Sequence, residues 1–319
     1  VSAPTWLGID LGGTSIKWEQ LSDSGETVAS GRVATPRSGH HAVTDAIAQI
    51  VIARDADGDR PFALGIAVPG HLSVAGDTVT LLPNVSGEWL DFPVAARLSA
   101  LTGVWPALLN DARAFAVAEM VLGAARSHSD VVFATVGTGV GGAVALDGQV
   151  IRSKGDRFGE VGHTIAVVDG EPCTCGNRGC VEAYSGGAQI LRRARREGLT
   201  VRSGPGALQA LSSHPRAAGI LRDAYDALAI GISNTCALTG APVVVIGGGV
   251  AEELPYFLDR TRQRLAERRR LLGDVEVRPG ELGVRAGALG AAMFARTECL
   301  QRTVVTAHGS PTKTLEQVQ

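Results

Sequence analysis

The chain has 319 residues, 45% of them hydrophobic and 19% charged, with a formal net charge of −2. At about 150 residues per domain this is enough for two cores, and the near balance of charge excludes a general attraction to nucleic acid or an anionic membrane. No apolar run reaches the roughly 18 residues of a membrane span, and Val1 to Asp10 shows neither the basic region nor the long apolar stretch of a secretory signal.

Trp6 to Asp10 reads as a buried strand, Leu11-Gly12-Gly13-Thr14 as a tight turn and Ser15 to Leu21 as the returning strand, before Ser22 to Glu26 turns again. From His41 to Arg54 the apolar residues Ala46, Ile47, Ile50 and Val51 recur at helical spacing. Phe62 to Val68 is a strand stopped by Pro69-Gly70. Pro106 to Leu109 is a strand that runs into Asn110-Asp111 and an alanine-rich helix ending near Leu122. The pattern then restarts. Val131 to Val136 is a β-branched strand, Gly137 to Gly142 a glycine-rich turn, and Ala143 to Leu146 leads to Asp147-Gly148, a hairpin dipeptide. Helices are expected near Ala183 to Glu197 and Ile220 to Leu238. Strand Val243 to Ile246 enters Gly247-Gly248-Gly249 and a further helix, and Ala286 to Arg296 is a last small-residue helix before a polar tail. Two halves that each begin strand, Gly–Thr turn, strand predict a duplicated α/β fold with a cleft between the copies. The expected division is 1–122, 123–298 and a tail, 299–319.

Only Lys17, Lys154 and Lys313 among the 30 basic residues are lysines. None sits in a Gly-Lys-Ser/Thr or Val-Ala-Ile-Lys context, which excludes a Walker A loop and a protein-kinase strand. Gly137, Gly139 and Gly142 match G-x-G-x-x-G in form, but the turn opens a strand rather than a helix, which excludes the dinucleotide fingerprint. What remains is a pair of turns, Gly12-Gly13-Thr14 and Gly137-Thr138-Gly139. Either they are ordinary glycine hairpins, or their N–H groups and Thr hydroxyls cradle phosphate. Their matching places, with Asp10 beside the first, favour a nucleotide, and Asp10 could hold Mg²⁺ through water. Gly247, Gly248 and Gly249 end a strand before a helix, where α/β folds bind ligands; close packing of helix on strand explains them equally well.

Asp111, at a strand-to-helix junction, is either a helix N-cap or a carboxylate placed to take a proton from a hydroxyl in the cleft. Asn110 beside it can hydrogen-bond a polyol. His163, Cys173, Cys175 and Cys180 combine an imidazole with three closely spaced thiols, the ligand set of a closed structural zinc site with no open position for catalysis. The five cysteines, with no secretory signal, suit a cytoplasmic protein with thiols or a metal rather than disulfides. Cys236 and Cys299 read as packed or incidental. Glu160 and Glu182 flank the cluster, either as surface charges or as partners for sugar hydroxyls.

Together, Gly8-Ile9-Asp10-Leu11-Gly12-Gly13-Thr14, Val68-Pro69-Gly70, Asn110-Asp111-Ala112, the Gly137 to Gly142 turn, Gly159-Glu160-Val161-Gly162-His163, the Cys173 to Glu182 loop and Ile246 to Gly249 resemble the ROK family of bacterial sugar kinases and sugar-responsive repressors. The resemblance covers about residues 6 to 296. It implies an actin-like, RNase H-like two-domain fold with ATP in the interdomain cleft. It also implies Asp111 as catalytic base, and Asn110, Glu160, His163 and Glu182 as sugar contacts, with Gly65 lining the same pocket. The two Gly–Thr turns correspond to the phosphate motifs and Gly247 to Gly249 to the adenosine motif. Two stretches depart from the family: Arg113 stands where a small or polar residue is common, and Pro83 to Trp89 carries extra residues.

The implied activity is ATP- and Mg²⁺-dependent phosphorylation of a hexose 6-hydroxyl by a homodimer or tetramer. Glucose is the first expectation and an amino sugar (glucosamine, kanosamine or an N-acetylhexosamine) the second. A repressor is disfavoured, since the first motif begins by residue 8 with no DNA-binding module ahead of it. The run Arg192 to Arg196 reads as a solvated helix face rather than a nucleic-acid reader.

Overall fold

The computed structural model describes residues 3–307 apart from 154, 203 and 205, with side chains as far as residue 301. Strands β1 (Thr5–Leu11), β2 (Ser15–Ser22) and β3 (Thr27–Ala34) form an antiparallel meander. Helix α1 (His40–Ala56) then leads to β4 (Ala63–Val68), a small hairpin of β5 (His71–Leu72) and β6 (Val79–Leu81), and α2 (Val94–Thr102). Next come β7 (Pro106–Asn110) and α3 (Asp111–Val121). The sheet order is β3-β2-β1-β4-β7, with β4 and β7 parallel to β1.

The second half repeats this layout. Strands β8 (Val131–Val136), β9 (Val140–Leu146) and β10 (Gln149–Val150) form the meander, and the hairpin dipeptide behaves as expected, with φ of 50° at Asp147 and 76° at Gly148. A single 3₁₀ turn (Val161–His163) precedes α4 (Val181–Ser185), α5 (Gly187–Arg196), α6 (Ala207–Ser212) and α7 (Ala218–Thr239). Strand β11 (Val243–Gly247) is followed by α8 (Gly249–Glu253), α9 (Tyr256–Glu267), α10 (Arg269–Leu272), β12 (Glu276–Pro279) and α11 (Ala286–Ala307). The sheet order is β10-β9-β8-β11-β12. Strands β8 and β11, β-branched or small apart from Phe133, pair in parallel and are buried on both faces, as sheets covered by helices require.

Helix α11 returns to the first half and packs on β1, β4 and α3. Small residues make that approach: a Cβ at Gly8, Gly65 or Gly290 would collide with the carbonyl oxygen of Ala288, Ala291 or Ala114. Much of the glycine surplus therefore serves interlayer packing rather than turns. Two segments cross between the halves, residues 122–130 and 280–285. Both are tied to Glu119, a fully buried carboxylate that accepts from the N–H groups of Ala124 (2.8 Å), Glu281 (3.2 Å) and Leu282 (3.0 Å).

The structure corrects several expectations. The helix expected over 183–197 breaks at Gly186, which is extended (φ −64°, ψ 136°), so that the first N–H groups of α5 can bond the carbonyls of Gly137 and Thr138. The run 192–196 is not wholly solvated, since Arg193 is buried, pairs with Asp223 at 2.6 Å and stacks over Tyr184. The last helix extends past 296 to Ala307, which takes in part of the expected tail; residues 308–319 lie outside the described residues. Strands β3 and β12 and helices α2 and α6 were not anticipated: β3 is an exposed edge strand without apolar alternation, and the others are too short to carry much periodic signal.

Candidate active site

Strand β7 delivers Asn110 and Asp111 to the space between the halves. The N-cap of α3 is Asn110, not Asp111: its backbone is extended and its Oδ1 accepts from the Ala112 N–H at 2.9 Å. Asp111 is thus the first helical residue, its carboxylate also accepting from Ala112 N–H at 2.9 Å. Burial, with the Asp10 carboxylate opposite, pushes Asp111 up to about 7, against the opposing pull of the Ala112 N–H and the Arg113 guanidinium. A carboxylate at that level can accept a proton near neutrality.

Asn110 has little freedom left. Its Oδ1 also accepts from Arg113 Nη1 (2.8 Å), and its Nδ2 donates to the Gly70 carbonyl (3.1 Å), which leaves one amide hydrogen for a ligand. Its backbone N–H donates to Asp156 at 2.6 Å. Glu160 reaches the same region from the second half and accepts from Arg113 Nη2 at 2.9 Å. Gly65 does not join them; it is a buried packing residue in mid-strand against Ala291.

Asp10 is paired with Lys17 at 3.0 Å through one oxygen and is approached from the other side by Gly287, at the start of α11. Its second oxygen suits a metal-bound water, the way Mg²⁺ is commonly held. In the first turn Gly13 and Thr14 are exposed, and Thr35 fixes the base of the turn through the carbonyls of Gly12 and Thr14. In the second, Thr138 is exposed between the half-buried Gly137 and Gly139. The expected sugar contact Glu182 lies against that turn: one oxygen accepts from the Val140 N–H (3.0 Å) and the other from the Thr174 hydroxyl (3.2 Å). Of the glycine triplet, Gly247 is a packing residue against Phe115, Gly248 has a φ of 96°, and Gly249 opens onto solvent.

The four expected metal ligands converge. Their ligand atoms lie within 4.8 Å of one another, with Cys173 Sγ 3.7 Å from His163 Nδ1 and Cys175 Sγ 3.6 Å from Cys180 Sγ. Ligands at zinc–sulfur and zinc–nitrogen bond lengths stand about 3.4–3.8 Å apart on a tetrahedron. Burial and the adjacent thiols push Cys180 up to about 12, so three thiols packed this way need a cation to ionise together. The residues fit zinc. His163 offers Nδ1 to that centre, which leaves Nε2 for a ligand. Cys236 lies apart, buried in α7, where burial pushes its thiol up to about 12.

The ROK family model matches residues 6–298. The chain belongs to the ROK family. Among ROK proteins, the N-acetylmannosamine kinase of Escherichia coli O157:H7 is 33% identical over 304 residues, which cover 93% of this chain and 100% of that one. The ROK hexokinase of Thermus thermophilus superposes with a TM-score of 0.81 at 32% identity, covering 93% of this chain and 99% of that chain. The ROK glucokinase of Streptomyces griseus, solved with glucose and AMPPNP, gives 0.75 at 28% identity over 92% and 99%. The fold is therefore the actin-like sugar-kinase fold of the ROK family, as expected.

Inspection of the sequence missed two groups around this ROK site. His71 follows the Pro69-Gly70 turn and stands near Glu160, Arg157, Arg113 and His163; burial holds its imidazole below the usual value against the raising effect of Glu160. Asp156 is buried, with its carboxylate shared between Asn110 N–H and Arg152 Nε (3.0 Å). Its φ of 54° is a conformation that Asp tolerates better than most residues, and Gly155-Asp156 was the one available signal.

Proposed function

We propose that this ROK sugar kinase transfers the γ-phosphate of ATP to the 6-hydroxyl of a hexose, with glucose as first acceptor. The observation that carries the proposal is Asp111, a carboxylate raised to about 7 at the strand-to-helix junction between the halves. In this reading Asp111 takes the proton of the hydroxyl as its oxygen attacks the γ-phosphorus in line. Glu160, the free Asn110 amide hydrogen and His163 Nε2 would orient the sugar ring. Glu182 would act mainly by bracing the Gly137-Thr138-Gly139 turn, given its bond to Val140 N–H. The N–H groups of both turns would hold the phosphates, with Gly248 and Gly249 beside the adenosine.

Mg²⁺, held by Asp10 through water, would neutralise charge on the transferring group. Zinc at His163, Cys173, Cys175 and Cys180 would fix the His163 ring and the loop that carries Glu182. The same reading assigns ATP as donor, a homodimeric or tetrameric assembly and a cytoplasmic location. No helix among the described residues is long and apolar enough to cross a membrane.

The deciding experiment is a coupled ADP-release assay over glucose, mannose, N-acetylmannosamine, glucosamine and N-acetylglucosamine. Sugar-dependent ADP release with a 6-phosphate product is expected. ADP release indifferent to every sugar overturns the proposal.

A further inference from the structure

We propose that Arg113 sets the charge preference of the acceptor pocket: by neutralising Glu160 it makes the site select a neutral hexose over a protonated aminohexose. This rests on the kinase proposal above and on Glu160 touching the sugar. Arg113 is 1% exposed, and its guanidinium donates to three acceptors: Asn110 Oδ1 (2.8 Å), Glu160 Oε1 (2.9 Å) and the Phe158 carbonyl. Its Nε is buried without a partner among the described residues, so the fork alone holds the cation. Glu160 is its one ionic partner among those residues.

A guanidinium does not lose its proton in a protein, so this charge is fixed at any working pH. Glu160 therefore reaches the pocket as half of a neutral pair, with one oxygen already committed. A sugar hydroxyl needs only the other oxygen as acceptor. A sugar ammonium must shed its water and finds on this wall a carboxylate whose charge is already spent on Arg113. Around Glu160 also stand His71 and Asp111; Asp111 in turn faces Asp10, which is paired with Lys17, and His71 faces Arg157 and His163, so the carboxylates beyond the Arg113 pair are set against Lys17 and Arg157. Without the guanidinium, Glu160 would be a carboxylate in need of a cation, which the ammonium supplies.

The test is the ratio of kcat/KM for glucosamine to that for glucose, measured in the wild type, R113M and R113K. Because each ratio is taken within one preparation, a loss of folded protein cancels. R113M is expected to raise the ratio at least tenfold, mainly by lowering the KM for glucosamine relative to glucose. R113K, which keeps the charge but not the fork, is expected to bring it back toward the wild-type value. In the wild type itself the ratio should climb with pH as the sugar amine loses its proton, a measurement that decides the matter if R113M is inactive on both sugars. An unchanged ratio in an active R113M, or a wild-type ratio that is flat or falls with pH, overturns the role of Arg113 alone. A wild type that phosphorylates no hexose overturns the kinase proposal and this one with it.

Discussion

Both halves run antiparallel, antiparallel, parallel, parallel from one sheet edge to the other, and both turn from first strand to second through glycine and threonine. They differ in what stands around that turn. In the first half Asp10 stands one residue before the end of β1, pairs with Lys17 and faces Asp111 at the start of α3. In the second half Thr135 and Gly141 occupy the places of Asp10 and Lys17 in the strand pair, and β12, the counterpart of β7, runs into Gly280-Glu281 instead of Asn-Asp. Where the first half has a short connection from its meander to its next helix, the second inserts the 3₁₀ turn and the cysteine loop. The same scaffold thus sets the facing carboxylates Asp10 and Asp111 on one side, and on the other a glycine turn beside the loop that carries the cysteine cluster. Duplication accounts for the cleft; the departures from symmetry account for the chemistry.

The comparison breaks first at Asp111. Asp111→Ala should lower kcat by about 10²–10⁴-fold, the usual worth of a positioned general base, while the sugar KM changes by no more than a few-fold. Steady-state kinetics on the preferred hexose measures both. A variant with near-normal kcat would mean that the first half is not the acid half.

The cysteine loop gives the next largest effect. Purified protein should hold one zinc per chain by elemental analysis, and Cys180→Ser should lose it. With His163 no longer fixed and the Thr174–Glu182 contact loosened, kcat/KM should fall about 10–100-fold. The loss should sit mainly in the sugar KM, because Asp111 belongs to the other half. A loss confined to kcat would join the two halves where the comparison separates them.

Much of this was legible in the sequence because it is carried by local chemistry. The strand–turn–strand openings, the Asn110-Asp111 junction and the Cys-x-Cys spacing each need specific residues at short range, and the structure brings the four metal ligands together. What was not legible depends on long-range packing. Gly65 and Gly247 resemble ligand-binding glycines in sequence, yet each admits a neighbouring group, Ala291 on α11 and the Phe115 ring. The stretch 183–197 carries Gly186-Gly187 within it, but the distant carbonyls of Gly137 and Thr138 that take up the N–H groups after the break cannot be read from the sequence. Arg113 was noticed as a departure, but its partners, 45 and 47 residues away, could not be read from spacing.

A finer test concerns the loop of the second half that carries Asp156. Asp156 bonds the N–H of Asn110 and so helps to hold the Asn-Asp junction from across the cleft. Asp156→Ala leaves that buried N–H and Arg152 without their carboxylate, at a cost of about 1–3 kcal/mol. A drop of about tenfold in kcat is expected, with the sugar KM less affected. Asp156→Asn, which keeps an acceptor oxygen, should recover part of it. If neither variant changes kcat, the loop is only a structural strap.

The smallest effect has the opposite sign to the largest. Folding raises Asp111 from an ordinary 3.8 to about 7, so the fold favours its protonated form. The resulting penalty is absent well below the unfolded value, grows as pH rises from about 4, and is complete above about 7. Asp111→Asn removes the ionisation while keeping the shape and one acceptor oxygen. It should therefore match the wild type in Tm near pH 4 and exceed it by a few degrees at pH 8, although it is catalytically crippled at both. Thermal unfolding at the two pH values measures this directly. An equal Tm difference at both would mean that Asp111 ionises as freely in the folded protein as in the unfolded chain, and the charge asymmetry between the halves would then lose its energetic meaning.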